Sequence, residues 1–415
     1  MSNELRRIPV SELALGMYVA KLDRPWTDTP FLFQGFFLHH DDELDLIRRY
    51  CQHVFIDVAR GDGQAEDPDA SRTITRVTNL RGPTPAKAPA PGRRVTYERA
   101  AAVEYEMPSA RAIYDDTAKA AKEVVRHLQE TGHLNLDLAQ QVVAQVMDSV
   151  LRNPDAMTWL ARMKTHDEYV YQHSVNSCVW GLAFGRHLGL DRQAIYEIGL
   201  GCMLQDVGKT RLPALLLAKT GPLSPAETRV IRSHVEHSVA IMQHTPGVTQ
   251  RMLDMVQYHH ERFDGSGYPT GLKGNDIPTF AKIGGMVDCY DALISPRPYA
   301  IQLTPHLALR EIYTWRGNLF QPEVVEQFMQ VVGVFPTGSL VALNTGVVGV
   351  VISQNESRRL RPRLMLILDE KKKRLSRFET VDLLNDQPWS DPEKYWIDRH
   401  VDAAAYGIDP HSLYL

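Results

Sequence analysis

Read as a pattern of apolar and polar positions, the chain changes period three times. Short alternating apolar runs at 17–22 and 54–58 flank an aromatic segment at 31–37 and a short helical pattern at 41–50, which predicts a small α/β domain over residues 1–60. Between residues 61 and 96 the apolar positions give way to Gly, Asp, Thr, Pro and Ala, including Pro83-Thr-Pro-Ala-Lys-Ala-Pro-Ala-Pro-Gly92. Such a segment cannot bury enough surface to order itself and reads as a disordered linker. Over 97–332 the apolar residues recur at three and four, predicting helices at 109–130, 138–151, 155–163, 168–188, 191–205, 225–244, 249–260, 281–293 and 322–331. Thr131-Gly132 and Asn153-Pro154 mark helix stops, and Ser224 before Pro225 is a cap followed by a first-turn proline. After Phe335-Pro-Thr-Gly338 the period shortens to β-type runs at 339–343, 347–352 and 364–368, giving a small β subdomain over 333–385 and a C-terminal tail over 386–415. The fold class expected is mainly α: a helical bundle with a small N-terminal α/β domain and a small C-terminal β appendage.

Composition narrows the function classes. The 415 residues are 44% hydrophobic and 23% charged, and at roughly 150 residues per domain the length suggests two or three domains. A net charge of −4, from 46 basic and 50 acidic residues, argues against coating duplex nucleic acid. The basic residues Arg358, Arg359, Arg361, Arg363, Lys371, Lys372, Lys373 and Arg374 read as solvated strand ends and turns, with nucleotide or partner binding as the alternative. Cys51, Cys178, Cys202 and Cys289 form no CxxC pair, which disfavours a cysteine zinc site and fits a reducing, cytoplasmic setting. No run of about 18 apolar residues occurs, and no apolar stretch follows the first arginines, so neither a membrane span nor a signal peptide is expected.

Histidine is the unusual residue. His166, His173, His187, His234, His237, His244, His259 and His260, half of the 16 in the chain, lie in under a quarter of its length. Four of them and three aspartates lie on segments that could converge: His173, Asp206, His234, His259, His260, Asp288 and Asp291. Imidazole and carboxylate together suit Fe, Mn or Zn, and a shared carboxylate can bridge two ions about 3.5–4 Å apart. Asp206 and Lys209, like Asp288 and Asp291, are three apart and so face one way on a helix. His187, His237 and His244 read as ordinary core or surface histidines. On a helix the His259 and His260 side chains would diverge by about 100°. The run His259-His-Glu-Arg-Phe-Asp-Gly-Ser-Gly-Tyr-Pro269 places Gly265 and Gly267 in a tight loop directly after that pair.

On these residues the chain resembles the HD-GYP family, metal-dependent phosphodiesterases of the HD superfamily that hydrolyse the bacterial second messenger cyclic di-GMP. The resemblance runs over 163–332. Its matching pieces are Tyr171-Gln-His-Ser174, Leu204-Gln-Asp-Val-Gly-Lys209, Leu212-Pro213, Lys219-Thr-Gly-Pro-Leu223, His234, the 259–269 run, Ile277-Pro278, Asp288-Cys-Tyr-Asp-Ala-Leu293 and Arg297-Pro-Tyr299. The N-terminal pieces Ile8-Pro-Val-Ser-Glu-Leu13, Gly16-Met-Tyr-Val19 and Pro30-Phe31 resemble a small domain often found ahead of such modules. The resemblance implies an HD-type helical phosphohydrolase bundle with Fe or Mn, either dinuclear or single if the Gln205 side is empty. One ion would take His173, Asp206 and Asp288; the other would take Asp206 as a bridge with His234, His259 and His260. Lys209, Tyr268 and Arg297 would face the substrate, together with the loop glycines Gly265 and Gly267. Lys209 or Asp167 would assist the leaving oxygen, and Asp167 and Asp291 would support the ligands or handle protons.

The chain departs from the family pattern in three places. Position 205, where the family has the histidine of its HD pair, is Gln, and an amide is a weaker ligand for a transition metal than imidazole. Tyr169 stands where some members carry a glutamate for a third ion. Ala300 stands where a basic residue usually helps hold phosphate. Two functions are therefore expected to compete: a working, weakened phosphodiesterase, or a degenerate module that binds cyclic di-GMP or a partner such as a diguanylate cyclase domain.

Overall fold

A computed structural model of the chain describes residues 5–23, 36–38, 44, 47–48, 51–57, 95–162, 169–295, 302–355, 358–392, 394–401, 406 and 408. They fall into two units, 1–92 with 356–360, and 93–355 with 361–415. In the first, the alternating runs form β1 (Leu5–Pro9), β2 (Tyr18–Leu22), β3 (Phe36–Phe37) and β4 (His53–Asp57), an antiparallel sheet in the order β1-β4-β2-β3. Ile8, Val19, Leu22, Val54 and Ile56 close their own core with Leu38, Leu44 and Ile47. The expected linker up to residue 94 and most of the 31–37 and 41–50 segments lie outside the described residues.

The second unit begins with α1 (Val103–Thr131), which runs through Pro108 instead of starting after it. The early turns are held from outside: buried Glu106 accepts from Ser149 at 2.6 Å and pairs with Arg152 at 2.7 Å, both on the next helix, α2 (Leu136–Arg152). That anchoring offsets the backbone bond that a proline removes. At the other end Gly132 takes the left-handed conformation (φ 75°) that stops α1, as the sequence predicts. There follow α3 (Pro154–Arg162), α4 (Tyr169–His187), α5 (Arg192–Leu204), α6 (Ala214–Leu217), α7 (Pro225–Arg232), α8 (His234–Met242), α9 (Gln250–Tyr258), α10 (Thr279–Ile294), α11 (Pro305–Thr314) and α12 (Pro322–Val332). Asp191 and Thr249 cap α5 and α9, and Ser224 with Glu227 forms a reciprocal capping box on α7. Trp180 on α4 meets Tyr290 on α10 edge to face with ring centroids 5.1 Å apart, and both pack on Phe328 of α12. This aromatic cluster fixes the two helices that carry His173 and Asp288.

Three sequence expectations change here. The single helix expected at 225–244 is two, broken at Ser233. The helix expected to reach residue 260 ends at Tyr258. Residues 397–400, expected in a tail, form strand β9 (Ile397–His400). It joins β5 (Leu340–Leu343), β6 (Val348–Ser353), β7 (Arg363–Leu368) and β8 (Arg374–Asp382) in an antiparallel sheet of order β8-β7-β6-β5-β9. Leu340, Ala342, Val348 and Val350 enter the helical core, while Val341, Leu343, Val351 and Leu364 form a second cluster. The three central strands β5, β6 and β7 are thus buried on both faces, which is why they read as continuous apolar runs, whereas β8 and β9 at the sheet edges are largely exposed. Among the described residues no helix is long and apolar enough to cross a membrane.

Candidate metal centre

Two groups of potential ligands share one carboxylate. His173 of α4, Asp206 just beyond α5 and Asp288 of α10 place one ligand atom each within 4.8 Å of one another; so do Asp206, His234, His259 and His260. His173 Nε2 lies 3.0 Å from Asp288 Oδ1 and 3.5 Å from Asp206 Oδ2. Its other ring nitrogen, Nδ1, is 2.7 Å from Oδ2 of Asp291, one helical turn beyond Asp288. Ser295 Oγ donates to the same Asp291 oxygen at 2.9 Å. A ring held through one nitrogen by a buried carboxylate presents the other in a fixed direction.

The second group depends on two close backbone approaches. Asp206 starts the 3-10 turn Val207–Arg211, where a Cβ on Gly208 would lie 2.1 Å from the carbonyl oxygen of His234. Only glycine lets this turn seat against the start of α8. That seating sets His234 Nε2 3.2 Å from Asp206 Oδ1. Similarly, a Cβ on Gly285 would lie 2.3 Å from the His259 carbonyl oxygen, so α10 reaches the end of α9 through a glycine. His234 and His259 are oriented alike: Nδ1 donates to the carbonyl three residues earlier, Ile231 at 2.7 Å and Val256 at 2.9 Å. Nε2 is left as the acceptor aimed into the site. Because α9 ends at Tyr258, His259 and His260 do not diverge as helical neighbours would, and their ring centroids are 4.0 Å apart.

The donor set fits a cation. Asp206 Oδ1 and His259 Nε2 are buried with no hydrogen-bond partner, and an acceptor nitrogen of His234 faces the first of them. Acceptors turned toward one another in a buried site are costly unless positive charge sits between them. Imidazole nitrogen with carboxylate oxygen is the set that holds Fe, Mn or Zn.

Electrostatics separate the two groups. Burial disfavours the charged ring of His173, but hydrogen bonds to Asp206, Asp288 and Asp291 outweigh it and raise its pKa to about 10. Burial lowers His259 to about 4 and, with help from His259, takes His260 well below its ordinary value. Burial also works against the carboxylates, yet Lys209 and His173 hold Asp206 well below the usual range, and His173 and His260 do the same for Asp288. At neutral pH His259 and His260 are therefore ready-made neutral ligands, whereas His173 carries a proton that a metal must displace.

Gln205 sits wholly inside the first group. Its Nε2 donates to Asp288 Oδ1 over a long 3.4 Å, and its Oε1 has no partner. The side chain thus offers a weak donor to a carboxylate where an imidazole would offer a lone pair. Lys209 Nζ lies 2.6 Å from Asp206 Oδ2, as the i,i+3 spacing predicts.

The loop after His260 is tied by a residue the sequence reading passed over. Buried Glu261 accepts through Oε1 from Thr270 N and Oγ1, both at 2.8 Å, and from Gly271 N at 3.0 Å. Gly265 has φ +84°, and a Cβ on Gly267 would lie 2.4 Å from Glu261 Cα. Both glycines therefore have a backbone reason for being where they are. Tyr268 stacks on His260 with centroids 4.6 Å apart and planes 23° apart. Burial, with Asp288 and Asp206, raises the Tyr268 pKa and keeps the phenol protonated. Arg232 lies over the Tyr268 ring, 4.6 Å from its centroid. The sequence reading also passed over Ser295 and Arg232. Position alone could have flagged Arg232, two residues ahead of His234. Asp167, Arg297 and Ala300 lie outside the described residues, as does the Tyr169 side chain.

Comparison with known proteins matches residues 159–324 to the HD domain. Residues 5–139 match a domain of unknown function (DUF3391), and 340–389 match a KOW domain associated with HD domain. The chain is 34% identical over 383 residues to the cyclic di-GMP phosphodiesterase PA4108 of Pseudomonas aeruginosa, covering 91% of this chain and 89% of that protein. It is 33% identical over 217 residues to the cyclic di-GMP phosphodiesterase response regulator RpfG of Xanthomonas campestris pv. campestris, covering 49% and 56% of the two chains. Among solved structures it is similar to Bd1817, an HDG"Y"P protein from Bdellovibrio bacteriovorus, at 14% identity and TM-score 0.46 over 78% of this chain and 98% of that one.

Proposed function

The chain belongs to the HD-GYP family of HD-domain phosphodiesterases, and we propose that it hydrolyses a phosphodiester bond of cyclic di-GMP in a metal-dependent reaction. The observation that carries this reading is the shared Asp206, with a potential ligand group on each side and an oxygen, Oδ1, without a hydrogen-bond partner 3.2 Å from His234 Nε2. His234, His259 and His260 with Asp206 would hold one ion, and His173, Asp288 and Asp206 the other. The mixed imidazole and carboxylate set is compatible with Fe or Mn, the occupants this reading takes. When bound, the metals supply Lewis acidity to the phosphoryl oxygens and activate the attacking water.

The chain's own residues do the rest. Asp291 fixes the His173 ring, and Ser295 fixes Asp291. Lys209, held against Asp206, keeps that carboxylate ionised and places a cation where negative charge develops on phosphate. Lys209 or Asp167 would assist the leaving oxygen, Arg297 would grip phosphate with its fork, and Tyr268 would close the substrate side of His260. None of the four cysteines is in a disulfide and three of them are buried, which suits action in a reducing cytoplasm. A diguanylate cyclase domain, the source of the substrate, is the protein partner this reading suggests.

The test is turnover with metal content on anaerobically purified protein, beside His260→Ala and Gln205→His. Loss of cyclic di-GMP with Fe or Mn present, abolished in His260→Ala, supports the reading. Binding without turnover in the wild type, with turnover restored in Gln205→His, would instead make the chain a binding module.

A further inference from the structure

Arg232 is the last residue of α7, exposed, and separated from buried His234 only by the break at Ser233. Its guanidinium lies over one face of Tyr268, while the other ring that stacks on Tyr268 is His260, a member of the shared ligand group. The order guanidinium, phenol, imidazole therefore runs from the solvent edge of the site to its ligands.

Three cations near the site are engaged. Lys209 donates to Asp206 at 2.6 Å, Lys219 to Glu227 at 2.7 Å, and Arg262 to the carbonyls of His259 and Glu261 at 3.2 and 2.9 Å. Arg232 makes no ion pair among the described residues. Its guanidinium carbon stands over the Tyr268 ring and its N–H groups donate to no other described residue, so those donors stay available. Charge, planarity and open donors together are what a phosphate oxygen pair selects.

A cyclic dinucleotide carries two phosphodiesters. The metal ligands take the one that reacts, and the second arrives as a full negative charge that something must meet. We infer that Arg232, preorganised on Tyr268, binds the second, non-reacting phosphate of the cyclic dinucleotide. It supplies from α7 the phosphate contact that Ala300 does not. This inference rests on the proposed phosphodiesterase reading and names a binding residue within it.

The experiment compares wild type, Arg232→Ala and Arg232→Lys. It uses cyclic di-GMP, with two phosphates, and bis(p-nitrophenyl) phosphate, with one, and measures metal per chain throughout. For Arg232→Ala, loss of one charge-assisted contact should raise KM for cyclic di-GMP about tenfold. The fall in kcat should be smaller, and the metal content unchanged. The fall in kcat/KM should be smaller on the one-phosphate diester, and Arg232→Lys, which keeps the charge but not the fork, should recover part of the loss. Equal losses on both substrates, or unchanged KM, would overturn the inference while leaving the phosphodiesterase reading intact. So would Arg232→Lys as poor as Arg232→Ala, which would point to a guanine edge instead of a phosphate. A wild type that neither binds nor hydrolyses cyclic di-GMP would overturn both.

Discussion

The two sides of the candidate metal centre share Asp206 and differ in how the chain prepares them. On the His234 side, three imidazoles arrive from the start of α8 and the end of α9, two of them oriented by their own local backbone, and burial keeps His259 and His260 neutral. On the His173 side a single imidazole is clamped among three carboxylates, retains its proton, and has Gln205 as neighbour where a second imidazole is expected. One side holds an unpartnered nitrogen on His259 beside two imidazoles that meet each other at 3.2 Å; the other is a satisfied ion-pair network that must come apart before it can bind metal. Helix ends build the first, helix interiors the second. A substitution of one ligand therefore alters the charge state of its side as well as its ligand count.

The largest effect should come from the residue both sides use. Asp206→Ala is expected to lower cyclic di-GMP hydrolysis by more than about 10³-fold and to empty both sides of metal, as metal analysis beside a turnover assay would show. If one ion survives at full occupancy, Asp206 is not shared. Removing an orienting group should strike one side only: Asp291→Ala is expected to weaken metal binding at the His173 side about 10–100-fold and leave the other side unmoved.

Proton competition should separate the sides by pH. With His173 raised to about 10, metal binding there must release its proton, so affinity should rise by up to about tenfold per pH unit from neutrality until pH approaches 10. His259 and His260 are already neutral at pH 7, so their contribution should be flat over that range. The same proton stabilises the metal-free fold. That contribution is full below about pH 6.5, the ordinary histidine value, and is lost as pH rises through about 10, which thermal melts of chelator-treated protein would register. The smallest effect is structural: Gly208→Ala, forced against the His234 carbonyl, should cost about 1–3 kcal/mol in denaturant unfolding. Any loss of metal that accompanies it should fall on the His234 side.

Much of this site is legible in the sequence, and the remainder fails for identifiable reasons. Spacing alone aligns Asp206 with Lys209 and Asp288 with Asp291, because i,i+3 pairs share a helical face. It does not show that α9 stops at Tyr258, which is what lets His259 and His260 converge, or that α7 and α8 part at Ser233, since apolar periodicity runs on through both positions. The identity of Gln205 is visible in the chain, but the direction of its amide is set by Asp288, eighty-three residues away. The stack of Arg232 on Tyr268 is likewise a tertiary event. Helix α11 does carry a cap-then-proline signal at Thr304-Pro305, with Thr304 accepting from Leu307, but it is only ten residues long. Strand β9, four residues long, is defined by its pairing with β5 and not by any pattern of its own.

The inequality of the two sides is tested most directly by titrating metal-free wild type and Gln205→His with Fe or Mn under anaerobic conditions at neutral pH, counting ions bound per chain. The expected result is one tight and one weak binding step in the wild type, at least about tenfold apart, with the weak step moving toward the tight one when position 205 becomes an imidazole. Two ions bound with equal affinity by the wild type, or a weak step unmoved by Gln205→His, would contradict it.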